Sequence, residues 1–227
     1  MMWGVRGCLA LLLGVVTLGS LPLAADGSAA ARIGILVPLE GPSRAAGTAV
    51  LRGVQGALSR WRRDHESSAV PETRVIPAQL RWGAQTDALV SAVVDGRTTV
   101  IIGAADSRTA HLAAQVVTRL KGSAVLISLS EDSTLTEIGV PWILRCPAAG
   151  SVRDRSAGER EGNEPTLRSL EAAAGDAALA VLAATQACGS DVPGIRTYLS
   201  AHTFHGRTGD FTFDTQGNRQ RAQQSGR

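Results

Sequence analysis

Thr98–Gly103 reads TTVIIG and Ala124–Leu129 reads AVLISL, two short apolar runs without a polar face. Runs of this kind are strands buried on both faces of a parallel sheet, and parallel strands need a long crossover, usually a helix, between them. The crossovers are there. Arg32–Val37 (RIGILV) is a strand, and from Ala45 the residues Val50, Leu51, Val54, Ala57, Leu58 and Trp61 form a helical stripe that ends in a charged turn. Thr73–Trp82 reads as a second strand, placed at a sheet edge by Pro77, which cannot donate to a ladder. Asp87–Asp95 is a short helix closed by Gly96, and Ser107 caps a helix reaching Leu120. Pro141–Cys146 (PWILRC) is a fifth strand. Strand and helix alternate throughout, which predicts an α/β fold with a three-layer, doubly wound, mainly parallel sheet.

The alternation stops at Pro147. Residues 147–164 are small, charged and aperiodic and read as a linker; beyond Pro165 an alanine-rich helix runs to about Cys188, followed by a shorter one over Pro193–Ala201. The segment ending at Asn218 reads as two short strands with Gly turns, and 219–227 as a disordered polar tail. At the other end, Arg6, the apolar run Leu9–Leu18 and the small residues from Ala24 have the three parts of a secretory signal within residues 1–31, with cleavage after Ala25 or Ala31. The apolar run is shorter than the roughly 20 residues that span a bilayer. The mature chain is therefore expected to be exported and soluble. That leaves Cys146 and Cys188 in an oxidising compartment, either bridged or as two separate thiols.

Composition narrows the function classes. A net charge of +3, with no patch that interleaves basic and aromatic residues, gives no footprint for nucleic acid. No Gly-x-Ser-x-Gly elbow, phosphate-binding Gly-rich loop with Lys, or Cys-x-x-Cys occurs. His202 and His205 fall on a strand-to-turn segment and read as surface histidines, while His111 lies within a helix and reads as structural. No enzyme, metal or cofactor is expected. The loop between Pro38 and Gly47 is different, because ligands of open α/β sheets sit beyond the carboxyl ends of the strands.

The stretches RIGILVPLEGPSRAAGTAVLRGVQGAL, VIIGAADSRTAHLAAQV, AVLISLSEDSTLTEIGVPWILRCPA and AHTFHGRTGDFTFDTQGN, in this order after a signal peptide, resemble the leucine/isoleucine/valine-binding family of type I periplasmic substrate-binding proteins of ABC transporters. Such proteins have two α/β lobes with a cleft between them. In the family, the pieces on either side of 147–164 both belong to the first lobe, so the resemblance implies a single lobe: 32–146 its first part, 165–218 its returning part, and the linker in place of the second lobe. It implies a periplasmic protein that takes a small amino-acid-like or amide solute and meets an inner-membrane ABC permease or another periplasmic protein. It further places a ligand site on Ser107, Thr109, Ser128, Ser130, Ser133 and Ala46, with Ala46 standing where an aromatic residue commonly packs on the ligand. Ser107 could equally be only a helix cap. Glu131 and Asp132, near the implied anion pocket, would repel a ligand carboxylate. Two readings remain: a reduced solute-binding component, and a non-transporting interaction domain that keeps the receptor fold.

Overall fold

A computed structural model of the protein describes residues 31–65, 70–78, 81–148 and 166–222. The expected signal segment, except Ala31, and the expected linker, except Pro147 and Ala148, lie outside the described residues.

Five parallel strands form the central sheet: β1 (Arg32–Val37), β2 (Glu72–Pro77), β3 (Val100–Gly103), β4 (Val125–Ser128) and β5 (Ile143–Arg145), in spatial order β2-β1-β3-β4-β5. β2 is an edge strand, as Pro77 implies. The register pairs Leu36 with Gly103, Gly103 with Ser128 and Ser128 with Arg145, so four strands end along one line. β3 and β4 are buried at every position, in keeping with their unbroken apolar runs.

Helices cover both faces. α2 (Trp82–Val94) and α3 (Ser107–Arg119) bury Leu89, Val93, Ala113 and Val117 against Leu36, Ile76, Ile101 and Leu126. On the other face, α1 (Arg44–Asp64) and α5 (Leu167–Cys188) pack on Ile33, Ile35, Ile102, Val125 and Ile127. The alanines of α5 and the glycines of both helices allow a close crossing: a Cβ added to Gly53 would lie 2.1 Å from the carbonyl oxygen of Glu171. Between Ala148 and Thr166 the chain has only residues 149–165, far too few for a second α/β lobe. Both flanks enter one core, because Cys146 and Ala148 share a cluster with Leu170, Ala173 and Ala177. The described residues are a single lobe.

Several elements differ from the sequence reading. The second strand ends at Pro77, and Trp82 opens α2 instead of closing β2. The buried positions Gln85, Leu89, Ala92 and Val93 of α2 make a helical stripe that begins with a polar residue, which conceals the first turn from an apolar-periodicity reading. Asp106, not Ser107, caps α3, accepting from the Thr109 N–H at 2.8 Å. A short α4 (Thr134–Glu137) precedes β5, and α6 (Val192–Ala201) follows α5. After α6 come three antiparallel strands, not two: β6 (Phe204–Gly206), β7 (Gly209–Phe213) and β8 (Arg219–Arg221). Arg219–Arg221 thus belong to a sheet and not to a polar tail.

Cys146 and Cys188 are free thiols. The Cys146 Sγ lies 3.9 Å from the Ala173 carbonyl oxygen, whereas Cys188 is the last residue of the same helix. At about 1.5 Å per residue, the two positions are separated by roughly 20 Å along α5, and a disulfide needs Cα atoms within about 7 Å. Burial pushes the Cys146 thiol up to about 11, so it stays protonated and unreactive.

Candidate functional site

The carboxyl ends of β1 and β3 are drawn together by backbone geometry. Gly103 has φ +136°, and a Cβ there would come within 2.1 Å of the Leu36 carbonyl oxygen. The next residue, Ala104, is left-handed at φ 52° and donates its N–H to that same oxygen. Only glycine tolerates such an approach. The β1–α1 loop starts at Pro38 and ends sooner than expected, since α1 opens at Arg44. Gly47 therefore sits in the first turn of α1, not in the loop, and an added Cβ would be 1.9 Å from the Pro38 carbonyl oxygen. It lets the helix lie flat against the residue that leaves the strand.

These segments enclose an open groove of about 600 Å³ at the carboxyl edge. It is lined by Leu39, Glu40 and Ser43 of the β1–α1 loop, by Arg81 and Trp82 at the α2 entry, and by Asp106, the cap of α3, with Thr109 in its first turn. Trp82 is 62% exposed and Leu39 39% exposed, unusual for large apolar side chains. Two acidic residues, Glu40 and Asp106, and two arginines, Arg81 and Arg108, are among the lining residues, so the groove is balanced in formal charge.

Of the six positions that the resemblance pointed to, Thr109 alone lines this groove. Ser128 is fully buried, donating to the Ala104 carbonyl oxygen at 3.1 Å and accepting from the Ser130 N–H. Ser130 is 1% exposed; its Oγ accepts from the Asp132 N–H at 3.2 Å and lies 3.5 Å from the Ser107 Oγ. These hydroxyls pin the β4–α4 loop onto the β3–α3 loop. Ser133 is exposed at the start of α4, and Ala46 packs against the core. The groove consequently runs along β2, β1 and β3, on the α2 side, and not across β1, β3 and β4. Arg81, Trp82 and Leu39 escaped the sequence reading. The only sequence signal for them was the helical stripe from Gln85, which would have turned Trp82 into the head of a helix.

Asp132 does not face an anion pocket. Its carboxylate accepts from the Thr134 hydroxyl at 2.6 Å, the Thr134 N–H at 3.0 Å and His111 Nε2 at 2.9 Å. The Thr134 hydroxyl above all, with His111, outweighs desolvation and lowers its pKa to about 2. His111 thus ties α3 to the β4–α4 loop. Arg145 holds the next layer, donating to Asn218 Oδ1 at 2.9 Å and to the Glu131 carbonyl oxygen at 2.8 Å. His202 stacks on Tyr198 and His205 pairs with Asp210, both exposed. Among the described residues no group of three or more His, Cys, Asp or Glu side chains could hold a metal ion, and no helix is long and apolar enough to cross a membrane.

No family model and no curated protein matches the sequence. Solved structures do match in fold. A leucine-binding protein from Thermotoga maritima superposes with a TM-score of 0.63 at 13% identity, over 83% of this chain and 93% of that one. The substrate-binding protein of a branched-chain amino acid transporter from Streptococcus pneumoniae, in complex with isoleucine, gives the same TM-score, identity and coverage. A solute-binding protein of an ABC transporter from R. palustris, in complex with benzoate, gives 0.63 at 11% identity, over 84% of this chain and 91% of that one. Together with the strand order and the single core, these likenesses establish that the chain has the type I periplasmic-binding-protein fold, reduced to one lobe.

Proposed function

We propose that this protein is an exported, periplasmic solute-binding-like component of a branched-chain amino acid type ABC transport system, working with one lobe. One observation carries the reading: in a fold shared with substrate-binding proteins, an open groove lies where parallel strands end, which is where such sheets take ligands. Its balanced charges and its apolar Leu39, Trp82 and Leu112 suit a zwitterion with an apolar side chain or a small amide. An inner-membrane permease is the partner that this role implies.

The single wall limits affinity. Small-molecule sites normally bury most of the ligand, and this groove is open to solvent. The dissociation constant for a free amino acid is expected to be weaker than about 1 mM, roughly −4 kcal/mol. Chemical-shift mapping with leucine, valine and small amides tests the assignment: perturbations at Leu39–Ser43, Arg81–Gln85 and Asp106–Leu112 are expected in the millimolar range. No perturbation there at tens of millimolar would sink it. Micromolar binding of leucine by calorimetry would refute the one-wall limit and restore an ordinary receptor.

A second reading is favoured by the consumption of Ser128 and Ser130 in internal hydrogen bonds, which removes hydroxyls that a ligand would use. On that reading the protein is a non-transporting interaction domain, and another periplasmic protein covers the groove. Retention of the groove residues' mobility and shifts in the presence of leucine, but their loss in a cell envelope complex, would separate the two.

A further inference from the structure

β2 is one edge of the central sheet, and no described strand pairs with its outer side. In a parallel ladder one residue turns both its N–H and its carbonyl to the neighbouring strand, and the next turns both away. The Ala78 N–H donates to the Val37 carbonyl oxygen, so by this alternation Glu72, Arg74 and Ile76 bond to β1. Thr73 and Val75 therefore present their backbone groups outward. Pro71 and Pro77 stand on either side of them and have no N–H to offer. An exposed edge of this kind is a template for another strand.

The side chains select what can pair there. Glu72, Arg74 and Ile76 point to the α2 side of the sheet, where Ile76 is buried, and Thr73 and Val75 point to the other side. All of these except Ile76 are exposed. Arg74 makes no hydrogen bond or ion pair with a described residue, and Glu72 uses only Oε2, which accepts from Arg32. Two copies of one strand related by a two-fold axis pair antiparallel. An axis at Arg74 sets guanidinium opposite guanidinium, and an axis at Glu72 sets carboxylate opposite carboxylate. An axis at Val75 places Thr73 opposite Pro77, which lacks the donor. An axis at Thr73 does none of these things: it sets Glu72 of each copy opposite Arg74 of the other, Thr73 opposite Thr73, and Val75 opposite Pro71. Opposite charges, paired threonines and paired apolar groups are the cross-strand contacts that stabilise a sheet.

We propose that the protein associates with a second copy of itself through β2, joining the two central sheets into one continuous sheet with Thr73 on the two-fold axis. The two Thr73 residues exchange N–H to carbonyl hydrogen bonds, and each Val75 N–H donates to the Pro71 carbonyl of the other copy. Apolar exposure gathers on the same side. Val75, and Val90 and Val94 of the adjoining α2, are three of the seven large apolar side chains exposed among the described residues. The charges of Glu72 and Arg74 reject every other register, so the edge is open to its own copy and closed to indiscriminate pairing.

Sedimentation velocity of the purified protein over a concentration series should show a reversible monomer–dimer equilibrium with a dissociation constant below about 1 mM. Thr73→Pro removes an outward N–H without touching the ladder to β1 and should weaken the dimer at least tenfold, with an unchanged circular dichroism spectrum. Arg74→Glu alone sets acid on acid, Glu72→Lys alone sets base on base, and each should be monomeric. Mixed one to one, these two variants should associate, because the introduced acid at 74 then faces the introduced base at 72. In a Cys188→Ser background, Thr73→Cys should crosslink to its own copy on oxidation, since paired Cα atoms there lie about 5.5 Å apart. Val75→Cys should not, because its two copies lie roughly 14 Å apart at about 3.4 Å per residue. A monomer up to about 1 mM, a dimer indifferent to Thr73→Pro, a charge-swapped mixture that stays monomeric, or crosslinking at 75 in place of 73 would each overturn the proposal.

Discussion

Asp176 is the most demanding side chain in the lobe. It lies in the middle of α5, fully buried, and its carboxylate accepts from the Arg207 N–H at 2.6 Å, the Thr208 N–H at 3.2 Å, the Thr208 hydroxyl at 2.6 Å and the Arg219 Nη2 at 3.0 Å. Arg219 is itself buried and stacks 4.1 Å above the Phe211 ring. One carboxylate therefore anchors the turn between β6 and β7, and also β8, to the helix beneath them. Asp176→Ala strands a buried guanidinium and leaves two backbone N–H groups and a hydroxyl without their acceptor. Removing one member of a buried ion pair costs about 3–5 kcal/mol. For a domain of this size each kcal/mol moves Tm by about 2–4 °C, so a fall of roughly 10 °C or more is expected. Urea unfolding followed by circular dichroism measures the cost directly. A control separates electrostatics from packing: Asp176→Leu combined with Arg219→Met replaces the pair with apolar groups and should recover most of the loss, because desolvating the charges is itself expensive. A loss below about 1 kcal/mol for Asp176→Ala, or no recovery in the double variant, would refute the reasoning.

Asp132, held near pKa 2 against 3.8 for a free carboxyl, stabilises the fold above pH 4, and this contribution should drain away as pH falls from about 4 to 2. Thr134→Val should raise the Asp132 midpoint in a carboxyl-carbon NMR titration, and an unmoved midpoint would remove the Thr134 hydroxyl as the principal cause. Gly47→Ala places a methyl 1.9 Å from the Pro38 oxygen and should cost about 1–3 kcal/mol in thermal unfolding, whereas the same change at Gly56, with open space around it, should be mildly stabilising. Thr98→Val removes an unbonded buried hydroxyl at nearly constant shape and should leave stability unchanged or raise Tm by a few degrees; a clear fall would mean that the hydroxyl is satisfied. Cys188, half-buried, should react with a maleimide in the native state while Cys146 reacts only after unfolding, without any reductant. A bridged peptide in the mass map would contradict the spacing along α5.

The sheet was legible because buried parallel strands have a distinctive composition. Val100–Gly103 and Val125–Ser128 have no polar face to confuse them, and Pro77 marked an edge through a missing donor. The single lobe was legible from the resemblance, which puts the pieces on either side of 147–164 in one lobe. The candidate site was much less so, for a physical reason: hydroxyl residues at strand ends can either face a ligand or close the loop on itself, and the sequence is the same in both cases. Ser128 and Ser130 took the second course, since the Ala104 carbonyl oxygen and the Ser130 and Asp132 N–H groups needed partners. The Asp106 cap was hidden beside Ser107 because both residue types cap well and only the backbone decides which stands one residue earlier. Gln85 concealed the start of α2, and with it the tryptophan that now shapes the groove.

The seam between Ala148 and Thr166 has an engineering consequence. Both flanks are fastened into one core: Ala148 is buried, and α5 begins at a Thr166 side-chain cap and reaches the core within a turn at Leu170. Joining two fixed ends through a longer segment costs little, about 0.6 kcal/mol for each doubling of its residues. The lobe is thus an acceptor for cargo: a folded reporter whose own ends lie close together can be spliced between 149 and 165 without loosening the sheet. A reporter placed there would join the chain just before α5, whose length of about 30 Å would serve as a built-in ruler to an energy-transfer label on Cys188.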